Sequence, residues 1–302
     1  MVTELSFKYR FLKSIIKASG FKKIFAKQGE ELLAMARKKK AKVRIPKLSH
    51  PDVIYEIKDF EGEKVVVIKH RVKSEKACLF LIGGGMIMSP RPAAIKKSMK
   101  IALATGRDMI IPYYPLCIDN TIDVSYDFIY KLYVRMLKEY DASNIIVTGS
   151  SSGGNLAIGL VAHINALGGK FPLPNKIYAS SPGECFGRED VIERGKELNK
   201  EDFLIDVKYM ESAESIMTKG KSVPEYMLYL ERGDYHGLNE VYLCYSDTEV
   251  LYAAYEPISG RLKECGVNVI AEIGHDMYHV YPFAPIVKEA IAGWNNMIEY
   301  HK

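Results

Sequence analysis

Residues 144 to 160, NIIVTGSSSGGNLAIGL, set three consecutive serines in a glycine frame where an apolar run gives way to a helical pattern. The pattern G-x-S-x-G fits in one register only, Gly149, Ser150, Ser151, Ser152, Gly153, which makes Ser151 the central residue. A serine held in a sharp turn between a strand and a helix presents its hydroxyl above the sheet. Glycines two before and two after it let the neighbouring backbones pass close by. The chemistry this suits is nucleophilic attack by the hydroxyl. By chance alone the pattern turns up in roughly one chain in ten of this size, but the setting strengthens it: the apolar NIIVT precedes and the helical NLAIGLVAHINAL follows. A phosphate-cradling loop is the competing reading, and no lysine follows the glycines as such a loop requires.

A serine hydroxyl is a poor nucleophile until a base takes its proton, so the hypothesis demands a histidine, an acid to orient it and donors for an oxyanion. LFLIGGGMIMSP supplies Gly83, Gly84 and Gly85 directly after an apolar run, with backbone N–H groups uncovered by side chains. With the N–H of Ser152 they could converge on a developing oxyanion, each such donor being worth about 10²- to 10³-fold in rate. Seven histidines compete for the role of base. His50 lies in a polar connector, His70 in an early strand, His163 within a helical pattern, His236 near the end of a charged excursion and His301 in the terminal tail. His275 and His279 remain, both in EIGHDMYHVYPF after the last predicted strand. Asp247, Glu249 and Glu184 are the candidate acids, each near the end of a predicted strand. Carboxylates are also common at such places because they complement helix dipoles.

The elements that must position these residues follow from hydrophobic patterning. From residue 53, VIYEI, KVVVIKHRV, ACLFLI, DMIIPYY, NIIVTG, KIYASS, EVYLCYS and VNVIAEI read as strands. Helical patterns fall near 91 to 105, 124 to 140, 153 to 167, 249 to 265 and 285 to 299. Early hairpin-like strands followed by strand and helix alternation predict an α/β fold with a mostly parallel central sheet covered by helices on both faces. In such sheets chemistry gathers at the carboxyl ends of the strands. Two charged helical stretches interrupt the alternation, residues 1–48 and about 183–237. They are expected to form a helical cap over a main domain spanning 49–302.

The chain has 302 residues, 48% of them hydrophobic, enough for a substantial buried core. Its longest apolar runs fall far short of the ~18 residues of a membrane span, which predicts no integral membrane segment. The N-terminus is broken by lysine and arginine and lacks a secretory pattern, so the expectation is a cytoplasmic protein. Five scattered cysteines without metal-ligand spacing point to reduced thiols, and neither a metal nor an organic cofactor is expected. Net charge is +5, but residues 1–48 hold fourteen Lys/Arg against three Asp/Glu, while the remainder holds twenty-eight against thirty-four. A basic amphipathic end can make peripheral contact with anionic lipid or nucleic acid. The plainer expectation is a helical pair with lysines in water and Phe7, Phe11, Leu12, Ile15 and Ile16 packed inward. No nucleic-acid partner is called, and the expected state is a monomer or homodimer. Met86, Met88, Met210, Tyr209 and Tyr278 are candidates to line an apolar site.

Taken together, the residues resemble the hormone-sensitive-lipase-like branch of the α/β-hydrolases, known for bacterial carboxylesterases, in order along nearly the whole chain. Ile82, Gly83, Gly84, Gly85 is similar to the family's H-G-G-G loop, and Gly149 through Asn155 resembles its G-D-S-A-G-G-N elbow. Glu249, Val250, Leu251 is similar to its D-P-L acid motif, and DMYHV to its terminal histidine segment. The resemblance implies Ser151 as nucleophile, Glu249 as acid, His279 as base, and N–H groups of Gly83, Gly84 and Ser152 as oxyanion donors. It implies hydrolysis of small carboxylic esters, of short-to-medium acyl length, through an acyl-enzyme. Three departures stand out: Ile82 for the motif histidine, Ser150 for the elbow aspartate, and Glu249, one methylene longer, for the usual aspartate. The same fold stripped of catalysis would be a small-molecule-binding protein, which is the alternative function.

Overall fold

The structure is a computed structural model that describes residues 5–302, so residues 1–4 of the predicted N-terminal segment lie outside the described residues. In chain order its elements are helices α1 (Phe7–Ala18), α2 (Lys22–Phe25) and α3 (Gly29–Lys40), then strands β1 (Val53–Phe60), β2 (Glu63–His70) and β3 (Ala77–Leu81). Helix α4 (Pro92–Thr105), strand β4 (Asp108–Pro112), helix α5 (Ile122–Met136), strand β5 (Ile145–Ser150), helix α6 (Ser152–Ala166) and strand β6 (Lys176–Ser180) follow. The chain ends with α7 (Glu189–Leu198), α8 (Val207–Thr218), β7 (Glu240–Ser246), α9 (Tyr255–Glu264), β8 (Asn268–Gly274) and α10 (Lys288–His301).

All eight strands join one sheet in the order β1-β2-β4-β3-β5-β6-β7-β8. Strands β1 and β2 form an antiparallel hairpin across Glu61 and Gly62, both at positive φ, the turn geometry that matches strand twist. β2 also runs antiparallel to β4, and every later pairing is parallel. The inner strands β3, β4 and β5 are buried along their full length, which is why they read as continuous apolar runs.

Alternate side chains of these strands feed two cores. Leu79, Leu81, Ile145 and Val147 pack with residues of α5, α6 and α9 on one face, while Cys78, Phe80 and Ile111 pack with residues of α4 and α10 on the other. Helices α7 and α8 lie between β6 and β7, where the charged excursion was expected, and α1 to α3 precede the sheet.

His301, read from the sequence as lying in the terminal tail, ends helix α10, is fully buried, and sits between Thr148 Oγ1 (2.6 Å) and the Met297 carbonyl (2.6 Å). One expectation is corrected: the apolar residues of α1 do not all pack inward. Tyr9 is buried, whereas Phe7, Phe11 and Ile15 are 78%, 60% and 50% exposed. The helix carries apolar side chains on two arcs, and the loop that carries His279 covers the one holding Tyr9.

Candidate active site

Strand β5 ends at Ser150 and helix α6 begins at Ser152, leaving Ser151 in the bend with φ 53° and ψ −131°. A non-glycine residue held there is strained, and the surroundings enforce it. A Cβ on Gly149 would lie 2.1 Å from the Gly153 carbonyl oxygen, and one on Gly153 would lie 2.0 Å from that of Leu81. The two frame glycines are therefore demanded by close backbone approach. Ser152 is the first helical residue, so its N–H has no acceptor four residues back and is left for another partner.

The flanking serines hold the glycine loop. Ser150 Oγ accepts the Gly83 N–H (3.2 Å), and Ser152 Oγ accepts the N–H groups of Gly84 and Met86 (3.1 Å each). From the other side, the Tyr114 hydroxyl donates to the Ile82 carbonyl (2.8 Å) and the Tyr209 hydroxyl to that of Gly85. The loop is thus tied at five successive residues, Ile82 to Met86, despite the absence of a histidine at position 82. Gly83 and Gly84, read from the sequence as open donors, carry hydroxyl acceptors in this structure. The Gly85 N–H, one of the three glycine donors read from the sequence but not among those the resemblance implied, has no protein acceptor among the described residues.

Of the three candidate acids, Glu249 meets His279: its Oε2 lies 2.6 Å from Nδ1. Its Oε1 accepts the Ser181 hydroxyl (2.8 Å) and the Ser246 N–H (2.9 Å), so a carboxylate only 2% exposed has both oxygens occupied. The next residue is also anchored, because the Val250 N–H donates to Asp202 Oδ2 (2.8 Å), reaching across from the segment between β6 and β7. Asp247 pairs instead with His275 Nδ1 (2.7 Å) and with the Asp276 N–H (2.7 Å). Glu184 is buried and accepts the Leu230 N–H (2.6 Å). Burial first, and then the charge of Glu231, push its carboxyl well above the usual carboxylate range. The remaining histidines are engaged elsewhere: His50 near Asp52, His70 with Asp108, His163 with Tyr226 and His236 with Asp234.

Ser181 was missed by sequence reasoning, although its place just past β6 was the available signal. It donates to Glu249 and accepts the Val280 N–H (3.2 Å), joining the acid to the residue after His279. Met86, Ser151, Ser181, Asp276 and Val280 all have positive φ, so backbone strain gathers in the loops that carry this constellation.

Ser151 and His279 line one cavity of about 450 Å³, with Met88, Tyr278, Phe80 and Phe283 among its apolar walls. Ile16, Phe21 and Phe25 from the N-terminal helices and Leu204 and Ile205 from the β6–β7 segment also line it, and Arg91 and Lys97 add positive charge. Tyr209 and Met210 border a void of about 20 Å³ beside Ser151, Gly85 and Glu184. Met86 is buried in the core instead. One trio among the described residues comes close enough to share a metal ion, Asp234, His236 and Cys265, and none of the three lines either space.

The arrangement offers a strained serine, an imidazole fixed by a buried carboxylate, and backbone donors at a helix start. A family model described as alpha/beta hydrolase fold matches residues 78–283. Among solved structures, an esterase from the bacterial hormone-sensitive lipase (HSL) family is 21% identical with a TM-score of 0.75, the match covering 90% of this chain and 96% of that one. A hormone-sensitive lipase from a metagenome library is 20% identical with a TM-score of 0.79, covering 97% of each chain. An esterase/lipase from an uncultured bacterium is 18% identical with a TM-score of 0.80, covering 98% of each. The comparison with curated proteins finds no match.

Proposed function

Because the chain belongs to the α/β-hydrolase fold family, we propose that it is a serine hydrolase that cleaves small carboxylic esters through an acyl-enzyme. The observation that carries this reading is the buried Glu249–His279 pair, 2.6 Å apart, on the wall of the cavity that Ser151 also lines. With Nδ1–H donating to Glu249, the Nε2 of His279 is the free lone pair and takes the Ser151 proton as Oγ attacks the ester carbonyl. The charge that develops on the carbonyl oxygen is met by backbone N–H groups. Ser152 and the glycine loop supply them, with Gly85 added to the Gly83 and Gly84 that the resemblance implies. His279 then protonates the leaving alcohol, and water repeats the cycle on the acyl-enzyme.

A volume of about 450 Å³ with mostly apolar walls suits short-to-medium acyl chains. Residues from α1, the turn after it, α2 and the β6–β7 segment contribute walls, and this supports their role as the cap over the main domain. Five buried, unpaired cysteines suit a reducing compartment such as the cytoplasm.

The test is labelling with a fluorophosphonate probe together with turnover of short p-nitrophenyl esters. The wild type should label and turn over, and Ser151→Ala should do neither. Labelling that survives in Ser151→Ala would remove Ser151 as nucleophile. A wild type that neither labels nor turns over would leave a small-molecule-binding protein on the same fold.

A further inference from the structure

Helix α1 presents a second surface that ester chemistry does not use. Taking about 100° per residue, Phe7, Phe11 and Ile15 fall within an arc of roughly 80°, and all three are at least half exposed. The rings of Phe7 and Phe11 stack in water with centroids 6.5 Å apart. Exposed large apolar side chains are unremarkable singly, but a stripe of three on one helix face is a docking feature. The opposite arc is occupied: Tyr9 is fully buried, its hydroxyl donating to the Asp276 carbonyl, and Lys13 Nζ lies 2.7 Å from Asp276 Oδ2.

Charge decides what the stripe fits. Exposed Lys8 flanks it on one side, and exposed Lys17 flanks it on the other. The helix carries no acidic residue among its twelve positions. Two copies packing stripe to stripe would bring these cations together. An anionic bilayer surface instead accepts the apolar residues between its headgroups and attracts the flanking cations.

Position adds a second argument. Ile16, adjacent to Ile15, lines the cavity that holds Ser151, as do Arg91, Lys97 and the exposed Ile286. The inward face of α1 also packs on the loop carrying His279, through Asp276 and through Tyr278, whose ring stacks on that of Tyr9. A surface that engaged the stripe would therefore lie beside the cavity.

We propose that α1 docks the protein onto anionic lipid surfaces, with Phe7, Phe11 and Ile15 inserted at the headgroup level and Lys8 and Lys17 against the lipid charge, so that esters partition from the bilayer toward Ser151. This goes beyond ester hydrolysis and is read out separately from it.

The test is co-sedimentation of the full chain with phosphatidylglycerol vesicles and with phosphatidylcholine vesicles. The wild type should bind the anionic vesicles, lose binding as salt is raised, and bind the neutral ones weakly. Phe7→Ser/Phe11→Ser/Ile15→Ser should weaken binding by roughly tenfold or more, with turnover of a soluble p-nitrophenyl ester unchanged. Lys8→Glu/Lys17→Glu, which leaves the apolar stripe intact, should weaken binding to anionic vesicles alone. Ser151→Ala should bind vesicles as the wild type does, so the loss of ester turnover and the loss of docking are distinguishable. Absence of wild-type binding at low salt, or equal binding by the serine triple variant, overturns the proposal. So does a wild-type dimer that the triple variant converts to monomer, because the stripe would then be a contact between copies.

Discussion

Ser152→Ala is the sharpest probe of how the glycine loop is held. The Ser152 hydroxyl accepts two backbone N–H groups, from Gly84 and Met86, and is 4% exposed, so water cannot freely replace it. Each such bond contributes about 1 kcal/mol net, which puts about 2 kcal/mol on the loop's native geometry. Removing it leaves the N–H groups of Gly84 and Met86, on either side of Gly85, without their hydroxyl acceptor. An oxyanion donor is worth about 10²- to 10³-fold only when it meets the oxygen at hydrogen-bond distance. Partial misplacement of the loop should therefore lower kcat by about 10- to 100-fold. The donors act on charge that exists only in the transition state, so KM should stay within about twofold. Steady-state kinetics on p-nitrophenyl acetate measure both parameters, and a pre-steady-state burst isolates acylation. An unchanged kcat would mean that the hydroxyl is idle. A raised kcat would mean that it occupies donors the substrate needs, and either result refutes the clamp.

Three further outcomes follow from buried ionisable groups. Glu249→Gln should lower kcat on the order of 10³-fold or more by removing the charge that holds His279 in its working tautomer, whereas Asp247→Asn should change it little; comparable losses in the two would reassign the acid. Burial pushes Glu184 up, so the stability it contributes is fully present below its unfolded pKa and is lost as pH rises through the folded one. Glu184→Gln should consequently raise Tm more at pH 8 than at pH 5, and a pH-independent difference would contradict this. His301 is pushed down to about 4 by burial, so its stability is present above about pH 6.5 and is lost as pH falls toward 4. A shift of this size corresponds to a few kcal/mol at most, at roughly 1.4 kcal/mol for each tenfold change in proton affinity. Urea titrations at pH 7, 5 and 4 should show a smaller pH dependence in His301→Gln, and parallel curves for the two proteins would sink the account.

Much of the architecture is legible because buried parallel strands must be apolar throughout. All eight runs read as strands are strands, and the elbow at Ser151 stands out because only glycine tolerates the approach of neighbouring carbonyls at 149 and 153. The contacts of the site are less legible. Glu184, Asp247 and Glu249 are equivalent as letters after strand ends; what separates them is side-chain direction, set by the Ser181 hydroxyl, the Ser246 N–H and the Leu230 N–H. The serine ties to the glycine loop span 66 to 68 residues, and no local pattern records them. Helix α1 failed for a different reason. Leu12 and Ile16 sit on the inward arc with Tyr9, while Phe7, Phe11 and Ile15 repeat every four residues on the other, so periodicity alone does not say which arc the protein covers. The burial of His301 in the terminal tail is not legible either, because the Thr148 hydroxyl that satisfies it lies 153 residues away.

The site contains two histidine–carboxylate pairs built from the same two loops, and their difference explains why one of them is assigned the chemistry. His275 and Asp247 meet at 2.7 Å with side chains 54% and 34% exposed, where water screens the attraction and such a pair is worth little. His279 and Glu249 meet at 2.6 Å with side chains 10% and 1% exposed, where the local dielectric is low and the attraction strong. Burying a carboxylate costs more than one partner returns, so Glu249 needs the Ser181 hydroxyl and the Ser246 N–H as well. Asp247 is held by the Asp276 N–H and faces solvent, away from the wall that Ser151 lines. The extra methylene of Glu249 lets a residue two positions further along the same turn reach His279 while Ser181 ties both loops together. On this argument Glu249→Asp, which keeps the charge but shortens the reach, should cost activity that Asp247→Glu in the same chain does not restore. Restoration in the double variant would show that the loops, rather than the burial of one pair, select the acid.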